Sequence, residues 1–109
     1  MDTTIISDEQ LGNALRYLAE TDHDYAKEKA ELERSDILRR RSRSRMFLLA
    51  EGNNEERKAK ADTSADVEHA DEAYCENVEA FETLKAKRER AEIVVRVYQT
   101  LEATRRAKL

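Results

Sequence analysis

The chain has 109 residues, of which 39% are hydrophobic and 40% are charged, with two glycines and no proline. A chain of this length is one domain by default, and its low apolar content is typical of a long helix or a coiled coil. Sheet proteins need turn residues, which this chain almost lacks, so the composition favours an all-α fold. The single cysteine, Cys75, excludes an intramolecular disulfide and fits a reducing compartment.

The formal net charge of −4 conceals a strong segregation of charge along the chain. Residues 1–33 hold nine acids and three bases, whereas residues 39–60 hold eight bases and three acids. Residues 61–84 hold eight acids and no lysine or arginine, and residues 85–109 again hold eight bases and three acids. Such alternation indicates binding surfaces or charge-directed assembly.

The amino-terminal residues lack the basic segment and apolar run of a signal peptide. The longest apolar stretch is also too short to cross a bilayer. We therefore expect a cytoplasmic protein with no membrane association.

The first predicted helix begins with a capping box, because Ser7 is followed three residues later by Gln10. The helix can run to Glu51 with little interruption. Thr21 with Asp24 offers a second start signal, so a short N-terminal helical arm followed by a longer helix is the alternative.

A sparse apolar stripe runs along the first helix and comprises Tyr25, Leu32 and Leu38 or Arg39. The helix ends in a dense apolar patch at residues 46–49. Both features predict contact with a second helix.

Gly52 and Asn53 form the clearest turn in the sequence. Gly52 can adopt the left-handed conformation that ends a helix, and Asn53 with Glu56 can cap the next one. The second helix then runs to about residue 107. Thr63 and Ser64 permit a kink within it.

The second helix carries the clearest pattern, a heptad-like seam in which eight of ten positions are apolar. The fold class is therefore all-α, a long antiparallel helical hairpin that resembles a coiled coil. With the turn at 52–53, residue 45 lies opposite 60 and residue 38 opposite 67. The ten seam positions are 67, 70, 74, 77, 81, 84, 88, 91, 95 and 98. The predicted single domain comprises a tail at 1–6, a first helix at 7–51, a turn at 52–53 and a second helix at 54–107.

Near the C-terminus, between residues 93 and 101, apolar side chains surround the helix almost completely. A helix with one face in water does not need such a distribution. We expect this segment to pack into a partner subunit or beneath the N-terminal arm, and the chain to form a homo-oligomer. The candidate oligomerisation residues are Ile93, Val94, Val97, Tyr98 and Leu101.

A cluster of basic residues is the best candidate for a binding site. Five arginines lie within seven residues and cannot all face a partner helix, and three further bases follow the turn. Together they predict a basic hairpin tip that binds nucleic-acid phosphates, because guanidinium groups match phosphate geometry. The alternative is pairing with the acids of the opposing helix or of a neighbouring subunit, at Asp62, Asp66, Glu68 and Asp71. The predicted nucleic-acid-binding residues are Arg39, Arg40, Arg41, Arg43, Arg45, Arg57, Lys58 and Lys60.

No catalytic, metal or cofactor site is predicted. His23 and His69 are far apart, and no cluster of histidine, cysteine and carboxylate has the spacing of metal ligands. The chain also lacks a glycine-rich phosphate loop and a glycine-flanked nucleophile. We therefore expect a protein that is not an enzyme and needs no cofactor.

Two stretches carry a resemblance to known proteins, residues 51–61 (EGNNEERKAKA) and residues 97–106 (VYQTLEATRR). They resemble small phage-encoded helical proteins from replication and recombination gene clusters. The overall plan, over residues 24–108, resembles UvsY-type recombination mediators. That plan is a basic first helix, a hydrophilic turn, a second helix and an apolar, aromatic C-terminal segment.

The resemblance implies an oligomeric protein of phage recombination and replication, acting in the cytoplasm of a bacterial host. It would bind DNA, single-stranded more than double-stranded, and help to load a recombinase in place of a single-strand-binding protein. The acidic block at 61–84 departs from that plan and keeps two alternatives open. One is a protein-binding inhibitor or adaptor of the anti-defence or DNA-mimic type, and the other is a purely structural coiled-coil oligomer.

Overall fold

The computed structural model describes residues 6–108, which form three helices: α1 (Asp8–Leu49), α2 (Asn54–Asp62) and α3 (Ala65–Ala107). No strand occurs in this range, so the all-α helical hairpin predicted from the sequence is confirmed. Most of the predicted tail, residues 1–5, lies outside the described residues. None of the helices in the described range is both long enough and apolar enough to cross a membrane.

The contacts divide the chain into two compact units, to which α1 and α3 both contribute. Unit 1 joins the N-terminal part of α1, up to Tyr25, to the C-terminal part of α3, from Thr83. Unit 2 comprises residues 26–82 and contains the turn and α2.

The start of α1 is held by the predicted capping box. The Gln10 backbone N–H donates to Ser7 Oγ at 3.1 Å, and the Ser7 N–H donates to Gln10 Oε1 at 2.8 Å. The possible break at 21–24 does not occur, because α1 continues through it and the Thr21 hydroxyl donates to the Tyr17 carbonyl of its own helix. The first arm is thus one helix.

The turn after α1 has the predicted chemistry. Gly52 has a φ of +118°, which L side chains rarely adopt. Asn53 precedes α2 in an extended conformation, and its side-chain oxygen accepts the Glu56 N–H at 2.9 Å. The predicted second helix differs from the structure, which ends α2 at Asp62 and starts α3 at Ala65.

Thr63 and Ser64 separate α2 from α3, at the position where the sequence permits a kink. The Thr63 hydroxyl donates to the Ala59 carbonyl at 2.9 Å, and Ser64 Oγ accepts the Val67 N–H at 3.3 Å. The Ser64 side chain therefore satisfies a backbone N–H in the first turn of α3, whereas the Ala59 carbonyl also accepts the Thr63 N–H at 3.2 Å.

In unit 2, α1 and α3 run antiparallel, since Arg43 contacts Asp71 while the earlier Arg39 contacts the later Tyr74. The predicted register, with residue 38 opposite 67, is wrong by about two helical turns. The reason is α2, which occupies part of the length assigned to the second helix. Arg43 also contacts Asp62 in α2, close to the predicted pairing of 45 with 60.

The face of α1 that packs in unit 2 is more polar than the predicted stripe. Its buried residues are Ser35 and Ser42, seven residues apart, with Arg39 half-buried between them. Leu38, which the stripe included as an alternative to Arg39, is 60% exposed. Small side chains at these positions allow the helices to approach closely. The buried and half-buried positions of α1 in unit 2 that follow this heptad spacing are Glu28, Leu32, Ser35, Arg39, Ser42 and Met46.

The seam of α3 is confirmed at every position, because all ten predicted residues are buried or half-buried. Val67, fully buried, and Phe81 belong to unit 2. Ala91 belongs to unit 1, where Ala14 of α1 is also buried. The heptad pattern therefore identifies the packing face of this helix.

Candidate nucleic-acid interface

All eight predicted nucleic-acid-binding residues lie in unit 2, and the structure divides them by their contacts. Arg43 is held most firmly. Its Nε donates to Asp62 Oδ1 and its Nη2 to Asp71 Oδ2, both at 2.9 Å. These two hydrogen bonds raise the pKa of Arg43 above its ordinary value. Arg43 therefore joins α1 to α2 and α3, as the alternative of intramolecular pairing predicts. The other two acids named in that alternative, Asp66 and Glu68, form no ion pair within the described chain.

Arg39 and Arg40 share one carboxylate on their own helix. Asp36 accepts from Arg39 at 2.8 Å and from Arg40 at 3.2 Å. The Arg39 guanidinium also lies over the Tyr74 ring, 4.2 Å from its centroid. Arg39 is thus part of the helix packing, while Arg40 remains largely exposed and can still reach a ligand.

Arg57 and Lys60 stabilise the turn. The Arg57 guanidinium lies 4.4 Å from the centroid of the Phe47 ring, and its Nε donates to the Phe47 carbonyl at 3.1 Å. Lys60 Nζ donates to the Glu51 carbonyl at 2.6 Å. Both bases donate to carbonyl groups near the end of α1, where helical hydrogen bonds run out, and the Phe47 carbonyl also accepts the Ala50 N–H at 3.3 Å.

Three of the eight bases have no ion pair or hydrogen bond within residues 6–108, and all three are exposed: Arg41, Arg45 and Lys58. Arg41 and Arg45 are one helical turn apart, about 6 Å along the axis. They line a shallow groove of 380 Å³, with Asp66, His69 and Ala70 of α3 on its other side. Two adjacent guanidinium groups therefore face solvent with their hydrogen-bonding capacity unused.

Lys58 lines a second groove of unit 2, of 430 Å³, together with Ser44, Phe47 and Leu48. Leu48 is 73% exposed, so this groove has an apolar border. No acid occurs in α1 between residues 37 and 49. The exposed surface of this helical segment is thus basic and aliphatic, and Asp66 of α3, which lines the groove of Arg41 and Arg45, forms no ion pair with either of them.

The predicted oligomerisation residues, all in unit 1, differ in their surroundings. The Tyr98 hydroxyl donates to Asp8 Oδ1 at 2.8 Å, and this bond raises the pKa of Tyr98. Tyr98 therefore contacts α1 of the same chain. Val94 and Val97 are half-buried, whereas Ile93 and Leu101 remain exposed.

Arg88 is an important residue whose role the sequence does not reveal. It occupies a seam position of α3, and its side chain is only 13% exposed. It donates to the Leu18 carbonyl at 2.9 Å, and to Thr21 Oγ1 and Asp22 Oδ1 at 2.6 Å each. The one signal for this role is the presence of an arginine in an otherwise apolar heptad.

The described residues contain no group of three or more histidine, cysteine, aspartate or glutamate side chains placed to hold a metal ion. Comparison of the chain with protein-family models, with curated proteins and with solved structures gives no match. The likeness to UvsY-type mediators stays a prediction.

Proposed function

We propose that this chain is a non-enzymatic accessory protein that binds the phosphate backbone of DNA, single-stranded DNA above all, through the exposed basic surface of unit 2. The proposal rests on two exposed arginines, Arg41 and Arg45, that form no ion pair within the described chain. They lie on a helical segment without acids. Arg40 and Lys58 are further exposed bases of unit 2, and Lys58 lines the second groove with Leu48.

The chemistry of these side chains suits phosphate. Each guanidinium presents a planar set of donors that can bind two phosphate oxygens at once. The spacing of about 6 Å between Arg41 and Arg45 lets both reach phosphates of one strand, whose charges lie about 3.4 Å apart along a duplex. Backbone contacts of this kind position a protein on DNA without reading its sequence.

The remaining bases support the surface rather than bind DNA. Arg43 and Arg39 are engaged with the helices that face them, so they fix the orientation of α1. Within the basic cluster we therefore assign DNA contact to Arg40, Arg41, Arg45 and Lys58, a smaller set than the sequence predicts.

The test is a fluorescence-anisotropy titration of a labelled single-stranded oligonucleotide, and of the matching duplex, with wild-type protein and with R41Q/R45Q. Both positions are exposed, so the double variant keeps its fold, which circular dichroism checks. We expect the variant to lose most of the affinity for the single strand.

The matched control is K27Q/K29Q. Lys27 and Lys29 are two exposed bases on the same helix and in the same unit, and neither forms an ion pair within the described chain. Removing them changes the net charge by the same amount. Equal loss of affinity in both variants would mean that only net charge matters, and no binding by the wild type would refute the proposal.

A further inference from the structure

Unit 2 exposes a second regular surface on α1, distinct from the face that packs inside the chain. Positions 34, 38, 41, 45 and 48 step alternately by four and three residues, and all five side chains are exposed. They are arginine, leucine, arginine, arginine and leucine. We call this set the arginine–leucine stripe. Its Leu38 and Leu48 are 60% and 73% exposed, which is unusual for leucines with heptad spacing.

On α3, unit 2 exposes a stripe of the same period and the opposite charge. Positions 68, 72, 75, 79 and 82 also step by four and three, and every one is exposed. Four are glutamates and the central one is Cys75. We call this set the acidic stripe. None of its glutamates forms an ion pair within residues 6–108, whereas the neighbouring Asp71 is paired with Arg43.

The two stripes lie on opposite sides of unit 2. The arginine–leucine stripe borders the groove that Arg41 and Arg45 share with His69 and Ala70. Asp71 is on the other side of α3, where it meets Arg43, and Glu68 and Cys75 are its helical neighbours at three and four residues. The stripes therefore cannot meet within one chain.

We propose that copies of this chain associate head to tail through unit 2, with the arginine–leucine stripe of one copy against the acidic stripe of the next. Charge complementarity selects a second copy as the occupant. The two stripes are equally long, since each spans 15 residues of its helix. Pairing them in either direction therefore places Arg34 and Arg45 next to glutamates. Arg41 then lies against Cys75, and Leu38 and Leu48 lie against the aliphatic carbons of glutamate side chains.

Association of this kind joins two different surfaces, so it builds rings or open chains of copies rather than a two-fold dimer. Exposed ion pairs are individually weak and are screened by salt. We expect assemblies that grow with protein concentration and dissociate as salt rises.

The inference does not depend on the proposed function, but it uses the same arginines. DNA and a second copy compete for Arg41 and Arg45. Added single-stranded oligonucleotide should therefore shorten the assemblies. If the chain does not bind DNA, the oligonucleotide has no effect and self-association remains.

The test is sedimentation velocity over a range of protein concentrations at low salt, with the charge-reversal variants R41E/R45E and E72K/E79K. Each variant alone meets like charge at every junction, so its self-association constant should fall on the order of tenfold or more. An equimolar mixture of the two restores opposite charges at every junction. It should therefore assemble again.

Two controls separate specific docking from net charge. K27E/K29E changes the net charge by the same amount as R41E/R45E. E20K/D24K, in unit 1, changes it by the same amount as E72K/E79K. The two control variants, K27E/K29E and E20K/D24K, should assemble like the wild type. Attaching a bulky maleimide to the exposed Cys75 should block assembly without altering charge. A wild type that stays monomeric at low salt, or a mixture of the reversal variants that does not assemble, would overturn the proposal.

Discussion

The two glycines provide a direct test of how the chain is folded, because the same substitution should have opposite effects at the two positions. Gly12 lies inside α1, where an added Cβ would meet no atom within 4 Å. Gly52 lies in the turn with a φ of +118°, where an added Cβ would stand 2.8 Å from Glu56 Oε2 and 3.0 Å from Glu56 Cβ. We expect Gly12→Ala to stabilise the protein and Gly52→Ala to destabilise it.

The magnitudes follow from the two environments. Within a helix, alanine is favoured over glycine by about 0.8–1.0 kcal/mol, and nothing at position 12 opposes that gain. At position 52 an alanine must adopt a backbone conformation that costs about 1–3 kcal/mol, and the turn must also shift to relieve the contact with Glu56 Cβ. The two variants should therefore differ by roughly 2–4 kcal/mol in the free energy of unfolding.

Thermal and urea unfolding followed by circular dichroism measure this difference. All variants should be compared at one low protein concentration, since association stabilises the folded state. For a domain of this size, 1 kcal/mol corresponds to about 4–8 °C in Tm. If Gly52→Ala left the stability unchanged or raised it, the described turn would be wrong. If Gly12→Ala lowered it, the open space that the structure shows beside Gly12 in α1 would be wrong.

Three further predictions concern the packing of the units. Val67 is fully buried, so Val67→Ala should lower the free energy of unfolding in urea by about 1–3 kcal/mol, and no change would contradict its burial. Arg88→Lys keeps the charge but loses the planar set of donors, so it should cost about 1–3 kcal/mol in the same assay, while Arg90→Lys, at an exposed position, should be neutral. Asp8→Asn should lower the pKa of Tyr98 toward its ordinary value of 10.0, measured by NMR with ring-labelled tyrosine. Since folding raises this pKa, the contact stabilises the protein below pH 10, and its contribution is lost as the pH rises through the raised pKa. An unchanged Tyr98 pKa in Asp8→Asn would exclude the Asp8 contact.

The fold could be predicted from the sequence where local chemistry decides it. Ser7 with Gln10, and Asn53 with Glu56, are short-range signals that depend only on neighbouring residues, and both caps form. The seam of α3 could be predicted because apolar residues occupy most of its positions. The register between α1 and α3 could not, because Thr63 and Ser64 are equally compatible with a continued helix and with the interruption that the structure shows.

The packing face of α1 could be predicted only in part. Leu32 and Met46 are half-buried on it, as their hydrophobicity predicts, but Ser35 and Ser42 are its buried positions in unit 2, and Leu38 is exposed. The buried Ser35 hydroxyl donates to the Leu32 carbonyl of its own helix at 2.9 Å, so a polar side chain is accommodated on this face.

The candidate site was predictable as a cluster but not residue by residue. The arginine run is evident from composition, yet its members differ in their contacts because they lie on different sides of α1. Arg43 meets two aspartates, whereas Arg41 meets none. That division depends on the register of the helices, which the sequence does not reveal.

The most direct test of the central claim is the salt dependence of single-stranded DNA binding by the wild type and by R41Q/R45Q. Each phosphate that a base neutralises adds about 0.7 to the slope of log K against log salt concentration on a single strand. The account predicts that the double variant has a slope smaller by about 1.4, while K27Q/K29Q has the slope of the wild type. An unchanged slope in R41Q/R45Q would show that Arg41 and Arg45 do not contact phosphates and would contradict the proposed interface.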